Sequence, residues 1–299
     1  MSRDRHATGE AGSAEISRFG WEDWTWDETV FRGTASYYRQ GRLPYAPGLA
    51  EALARHLDLD GRGRFLDVGC GPGSVTLLFA HIFEHVVGVD SDLEMLSEAR
   101  RAASEAQITN AQWMHMRAEQ LPGGLGRFRV ITFAQSFHWM DRARVAATAR
   151  AMLEPGGAVV HVDMWHGQRR DTQPHGGFPS VPEEAIDALR VRWLGRDRRA
   201  GAGVRNTSPS GEDEVFQLAG FAPEQIVVVP DGRVVERSVD DVIASVLSTS
   251  STAPHLFGDQ LAEFESDLRG ALVSASPAGR FSVRLADNRL RIHRPRTTA

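Results

Sequence analysis

Between residues 64 and 163 the chain alternates two apolar patterns. Short runs at Phe65–Val68, His85–Val89, Ala111–Met116, Phe128–Ala134 and Ala158–Val162 have strand length and are rich in β-branched or aromatic residues. Between them lie stretches with helical spacing, Ser74–Ile82, Leu93–Ala103 and Arg142–Leu153. In the second of these, Leu93, Leu96, Ala99 and Ala103 fall on one helical face. Strands separated by single helices predict βαβ units, hence a parallel sheet covered on both faces. Leu121-Pro122-Gly123-Gly124 reads as a loop, and Glu154-Pro155-Gly156-Gly157 as a helix stop followed by a turn.

Outside that block the pattern is weaker. Residues 1–17 are polar and rich in Gly, Ser and charge, and read as a disordered tail. Residues 18–45 hold Trp21, Trp24, Trp26, Phe31, Tyr37, Tyr38 and Tyr45, a density expected either of a strap on the core or of a lid over a ligand site. A helix follows at Leu49–Leu57. Beyond 163, helices are predicted at about 183–195, 212–219 and 258–273, with strands at about 224–230 and 233–237. Arg196 to Pro209 is Arg- and Gly-rich and reads as a mobile loop. Ser238 is placed to cap a helix, with Asp241 three residues on. Phe281–Ala286 and Arg289–His293 read as a hairpin turning at Asp287-Asn288.

Composition changes this picture by exclusion. A net charge of −5 offers nothing to phosphate backbones or anionic membranes. Every basic side chain other than histidine is Arg, so a lysine Schiff base is excluded. A single cysteine, Cys70, rules out an internal disulfide and a multi-cysteine metal site, and Cys70 itself reads as a small filler of a turn. No run approaches the length of a membrane span, and Met1–Ser17 lacks the apolar core of a secretory signal, so a cytoplasmic location is expected.

The chemistry concentrates at Asp67-Val68-Gly69-Cys70-Gly71-Pro72-Gly73, where the first strand turns into a helix. Glycines there permit positive φ and close approach of a ligand, and the helix aims its free N–H groups at the turn. A dinucleotide site needs G-x-G-x-x-G, but Ser74 stands at the third glycine and Asp67 precedes the first. A carboxylate there repels a pyrophosphate and attracts an ammonium, which favours a cationic amino-acid nucleoside over NAD(P). An NAD(P)-dependent oxidoreductase remains the less favoured alternative.

This segment resembles motif I of the class I S-adenosylmethionine-dependent methyltransferases. The resemblance continues through Val87-Gly88-Val89-Asp90 with Ser91, Asp92-Leu93-Glu94-Met95-Leu96, Arg117-Ala118-Glu119-Gln120-Leu121-Pro122 and Leu153-Glu154-Pro155-Gly156-Gly157. Tyr38-Arg39-Gln40-Gly41-Arg42-Leu43-Pro44-Tyr45 and Ala134-Gln135-Ser136-Phe137-His138-Trp139-Met140-Asp141 are similar to segments of the trans-aconitate methyltransferase-like group, although Leu43 breaks the usual order of the first. The resemblance implies a doubly wound, Rossmann-like α/β sheet of seven strands, mostly parallel with an antiparallel last strand, and a helical cap built from about 164–210 and 238–274.

It also implies S-adenosylmethionine as cofactor and methyl transfer to a small-molecule acceptor through O, N or carboxylate, with no nucleic-acid or membrane partner. Asp67 is assigned to the cofactor ammonium, Gly69, Gly71 and Gly73 to close backbone approach, and Asp90 with Ser91 to the ribose. Met95, Ala118 and Glu119 are assigned to the adenine, Tyr38 and Arg42 to the methionine end, and Gln135 to cofactor or substrate. His138 is the candidate base, although an SN2 step on a sulfonium needs none. His161, Asp163 and His166 are metal ligands by type but read as strand-end residues, so no metal is expected. Trp165, Asp163, His166, His175 and Trp193 are candidates for the acceptor pocket. The expected organisation is a tail at 1–17, a lid and helix at 18–63, a cofactor core at 64–163, and cap plus sheet completion at 164–299. A fold that binds the cofactor without methyl transfer, as a binding module or cyclase, stays open.

Overall fold

The computed structural model describes residues 27–165, 176–205 and 210–296, with Trp165 described by its backbone alone. The expected tail, Trp21, Trp24, Trp26, His166, His175 and the Trp165 side chain lie outside the described residues. In chain order the elements are α1 (Ala35–Gly41), α2 (Leu49–Leu57), β1 (Arg64–Val68), α3 (Ser74–Phe79), β2 (His85–Asp90), α4 (Leu93–Glu105), β3 (Ala111–His115), β4 (Phe128–Phe133), α5 (Arg142–Ala151) and β5 (Leu153–Trp165). They continue with α6 (Glu183–Leu194), β6 (Arg199–Ala200), β7 (Gly203–Val204), α7 (Glu212–Leu218), β8 (Gln225–Val229), β9 (Val234–Ser238), α8 (Val239–Leu247), α9 (Leu261–Ala275), β10 (Arg280–Arg284) and β11 (Asp287–His293).

The period-2 geometry of a strand sends Phe65 and Leu66 of β1 to opposite faces. Phe65 joins Leu49, Leu53, Val75 and Phe79 of α2 and α3. Leu66 joins Val145, Ala149, Val215 and Phe216 of α5 and α7. Both β1 residues are fully buried, as a parallel strand covered on two faces requires. Truncation to Ala removes about 3–5 kcal/mol at Phe65 and about 2–5 kcal/mol at Leu66.

Seven strands pair in the order β3-β2-β1-β4-β5-β11-β8. β1 to β5 run parallel, and β11 is antiparallel to β5 and β8. The order reverses between β1 and β4, and open α/β sheets take ligands at the carboxyl ends of such a pair. A third core lies away from the sheet. Val239, Ile243 and Leu247 of α8 pack with Phe264, Leu268 and Leu272 of α9 and with Phe281, and Trp193 of α6 leans on them. Ser238 caps α8 reciprocally with Asp241, as its spacing predicts.

Four sequence expectations are corrected. The C-terminal hairpin does not form: β10 pairs with β9 in a separate sheet, while β11 enters the main one. The two strands feed different cores, since Phe281 is buried against the cap and Leu290 and Ile292 against the sheet. Turn chemistry at Asp287-Asn288 is overridden, and Asn288 instead accepts the Ala46 N–H through Oδ1. The Pro155-Gly156-Gly157 turn lies within β5, whose pairing with β4 shifts register between Phe128 and Val130. Leu93 is 59% exposed, and α4 buries Met95, Leu96, Ala99, Ala102 and Ala103 instead. The Arg-rich stretch is ordered where described, with β6 and β7 forming a short antiparallel pair.

Candidate functional site

The glycine turn is laced to its neighbour strand. The N–H groups of Gly69 and Cys70 both donate to the Val89 carbonyl, at 2.9 and 3.0 Å. Gly71 N–H donates to Asp90 Oδ2 at 2.8 Å, and Asp92 N–H to Asp90 Oδ1 at 2.9 Å. Each Asp90 oxygen keeps a further lone pair for hydroxyl donors. Asp92 then caps α4 by accepting from Glu94 and Met95 N–H.

The three glycines do different work. All have positive φ, +69° at Gly69, +53° at Gly71 and +80° at Gly73. A Cβ on Gly69 would come within 2.6 Å of Ser136 Cβ, and one on Gly73 within 2.5 Å of the Trp113 ring. Both are packing constraints. A Cβ on Gly71 would meet nothing within 4 Å, because that position faces open space. Trp113 also crowds Gly88, where a Cβ would lie 2.6 Å from its ring and 2.9 Å from Cys70 Sγ. Cys70 is buried, and that burial pushes its thiol well above the usual range.

Above the turn lies an open cleft. Of the sequence-selected residues, Tyr38, Gly69, Gly71, Asp90, Ser91, Met95, Ala118, Glu119 and Gln135 line it. Glu28, Phe31, Met116, Arg117, Trp139 and Met140 also line it. Glu119 Oε1 accepts the Asp141 N–H at 3.0 Å, and Oε2 lies 3.3 Å from Arg117 Nε. Burial raises Asp90 to about 6 even though the two backbone N–H bonds pull the other way.

Asp67, Gly73, Arg42 and His138 are not part of that lining. Asp67 is completely buried beneath it, accepting from Thr76 Oγ1 at 2.7 Å and Thr132 Oγ1 at 2.8 Å. Burial raises its carboxyl to about 6, against the pull of those hydroxyls. Asp67 and Thr132 are register partners of β1 and β4, and each is a polar residue flanked by apolar ones, Leu66 and Val68 about Asp67 and Ile131 and Phe133 about Thr132. That coincidence was the available sequence signal. Arg42 stacks over the Tyr38 ring at 4.6 Å and donates to the Ser248 carbonyl at 2.7 Å. Burial, with Arg205 beside it, pushes His138 down to about 4.

The 27–45 segment divides between the two roles open to it. Glu28, Phe31 and Tyr38 face the cleft, and Phe31 meets Trp139 edge-on with ring centroids 5.3 Å apart. Tyr37 and Tyr45 pack instead against the cap and the sheet. Arg205 covers the Trp139 ring at 3.7 Å, a contact with no sequence signal. Among the described residues one set of metal-ligand type comes together, Asp213, Glu224 and His293, outside the cleft lining. Its carboxylates are already engaged. Asp213 accepts from Glu224 N–H at 3.0 Å and Gln217 Nε2 at 2.6 Å, and Glu224 binds Arg291 Nε at 2.6 Å. His161 and Asp163 are not in that set.

A family profile described as a methyltransferase domain matches residues 65–157. The chain is 30% identical over 209 residues to the uncharacterized methyltransferase YcgJ of Bacillus subtilis, covering 67% of this chain and 73% of that protein. It belongs to the methyltransferase-domain family. The membership decides for S-adenosylmethionine-dependent methyltransferase against dinucleotide oxidoreductase. A further relative is the trans-aconitate 2-methyltransferase of Pseudomonas paraeruginosa, 32% identical over 144 residues; the match spans 47% of each protein. The fold of the methyltransferase is similar to that of the [4+2]-cyclase SpnF, with a TM-score of 0.51 at 16% identity over 100% of both chains.

The cofactor of the methyltransferase is S-adenosylmethionine, and the site suits it. The open space over Gly71 is a cradle that any side chain there would fill, and Asp90 beside it offers acceptor capacity to hydroxyl groups. No helix among the described residues is long and apolar enough to cross a membrane.

Proposed function

We propose that the methyltransferase acts on a small organic acceptor, through an oxygen (a carboxylate included) or a nitrogen, entering beside Phe31 and Trp139. The observation that carries this reading is the charge and shape of the cleft. Among the described residues, Glu28, Asp90, Asp92 and Glu119 line it against Arg117 alone, while Phe31, Tyr38 and Trp139 supply aromatic surface. Such a lining repels a phosphate backbone, whose recognition rests on Lys and Arg contacts. It also holds a cationic cofactor and an apolar or aromatic acceptor.

When bound, the cofactor supplies a methyl group on sulfonium sulfur. Asp90 and Ser91 would hold the ribose, Met95, Ala118 and Glu119 the adenine, and Tyr38 the methionine end, with Arg42 stacked behind the Tyr38 ring. Asp67 contributes through its field from below. The chain's contribution to rate is alignment of nucleophile and methyl group. A neutral acceptor would shed its proton to solvent at the open mouth of the cleft. His138 receives no role in this step. Its ring is off the cleft lining, and a group pushed down to about 4 holds a proton poorly at neutral pH.

The test is turnover of S-adenosylmethionine against phenols, amines, carboxylic acids and an RNA hairpin, read as S-adenosylhomocysteine formed and product mass. Methylation of a small acceptor is expected. Methylation of the RNA alone overturns the reading. Micromolar cofactor binding with no transfer to any acceptor favours the fold as a binding module or cyclase, the chemistry of its structural neighbour SpnF.

A further inference from the structure

At the carboxyl end of β4, Gln135 lines the cleft with φ at +57°, a left-handed conformation that a non-glycine residue adopts against its own sterics. Such a conformation persists where its surroundings hold it. Here its side chain reaches across to β5, and Gln135 Nε2 donates to Asp163 Oδ1 at 3.3 Å. A carboxylate oxygen only accepts, so the nitrogen of the amide must be the atom that faces it. The carbonyl oxygen, on the other side of the planar amide, is then turned away from Asp163.

Asp163 is itself held in place. Its Oδ2 lies 3.6 Å from Arg291 Nη1 and 3.8 Å from Arg289 Nη2, and Tyr45 is close enough to feel its charge. Arg291 is fixed in turn by Glu224 at 2.6 Å and Glu212 at 2.8 Å. A chain of ion pairs therefore runs from α7 and β11 through Asp163 to one cleft amide.

We propose that Asp163 is a positioning residue that locks the Gln135 amide with its carbonyl oxygen towards the cationic methionine end of the cofactor. The proposal rests on the methyltransferase reading above. Without the carboxylate the amide is free to turn over and present its NH₂ donors to a positive charge, which weakens binding where it should strengthen it.

The test is a double-mutant cycle on the full chain, with S-adenosylmethionine and S-adenosylhomocysteine affinities measured by calorimetry and folding followed by thermal melting. Asp163→Asn is expected to weaken S-adenosylmethionine about three- to tenfold. In a Gln135→Met background the same substitution is expected to change affinity less than about twofold, because the residue it acts through is gone. Equal weakening in both backgrounds, or no weakening in either, overturns the proposal. If S-adenosylmethionine suffers more than S-adenosylhomocysteine, the carbonyl faces the sulfonium, and equal losses put it at the ammonium; either supports the coupling. If Asp163→Asn does not fold, Asp163→Glu, which keeps the charge and displaces it by a methylene, is read in the same cycle. A wild-type chain that binds neither nucleoside overturns the functional reading itself, and this inference with it.

Discussion

The floor and the roof of the cleft are built on opposite principles. The floor is local: a strand end, a turn and a helix start between Val68 and Ser74, tied to β2 by N–H donations from Gly69, Cys70 and Gly71. Its chemistry is main chain and carboxylate. The roof is assembled from segments distant in sequence, Glu28 and Phe31 before the first helix, Trp139 after β4 and Arg205 beyond β7. Its chemistry is aromatic. A backbone floor is fixed by the strand, turn and helix that build it, whereas the side chains of the roof can change without disturbing the sheet.

The largest test of that division is Asp90→Asn. The floor loses the charged acceptor expected to take two hydroxyl donors, so S-adenosylmethionine affinity should fall about 100-fold or more by calorimetry. The melting temperature should change little, because removal of a buried charge is offset by the backbone N–H, of Gly71 or Asp92, that the amide nitrogen cannot accept. A floor that merely shapes the cleft would lose affinity only slightly.

Next come the glycines. Gly73→Ala drives a methyl group into the Trp113 ring and should cost about 2–3 kcal/mol of stability in denaturant titration. Gly71→Ala meets no atom, so it should cost about 1 kcal/mol of backbone strain but roughly tenfold or more in cofactor affinity. Reversal of those two effects would mean that Gly73, not Gly71, faces the ligand.

Acidity sharpens the comparison further. Asp90, ordinarily near 3.8, is raised to about 6, chiefly by burial. Hydroxyl donors and a cation favour its charged form, so binding near pH 6 should release protons. Affinity should fall about tenfold between pH 7 and pH 5. The stability sign is the reverse. A raised carboxyl makes Asp90 a burden on the ligand-free fold above about pH 6, and the burden lifts as pH falls from 6 towards 3.8. Calorimetry in buffers of different ionisation enthalpy counts the protons. Binding that stays flat across this window would place the cofactor away from Asp90.

The smallest effect expected is at the roof. Phe31→Ala should raise the acceptor KM about fivefold and change cofactor affinity less than about twofold, read from initial rates. Equal effects on both ligands would merge roof and floor into one site.

This contrast also explains what could be read in the sequence. The floor of the cleft is legible in the sequence as a strand–turn–helix because its glycines and acids lie close together in the chain. The sheet's first five strands were legible for the same reason, since βαβ units are built from neighbours. The packing constraint on Gly73 has no local signature, because Trp113, which occupies the space beside it, is on another strand. The burial of Asp67 is equally hidden, because nothing in its neighbourhood along the chain reveals that Thr76 and Thr132 enclose it. The terminal hairpin failed at the same point, where two strands adjacent in sequence serve separate cores.

One contact from the other side of the molecule bears on how the cleft opens. Helix α1, which carries Tyr38, crosses α8 so closely that a Cβ on Gly41 would lie 2.4 Å from the Ala244 carbonyl oxygen. Arg237 clamps the crossing by donating to the carbonyls of Gln40, Gly41 and Asp241 at 2.7, 3.0 and 2.9 Å. The helix is thus a rivet between roof and cap, with no hinge of its own. Displacing Tyr38 from the cleft means moving α8 and its partners along with it, so any widening of the cleft on that side is a motion of the cap as a whole.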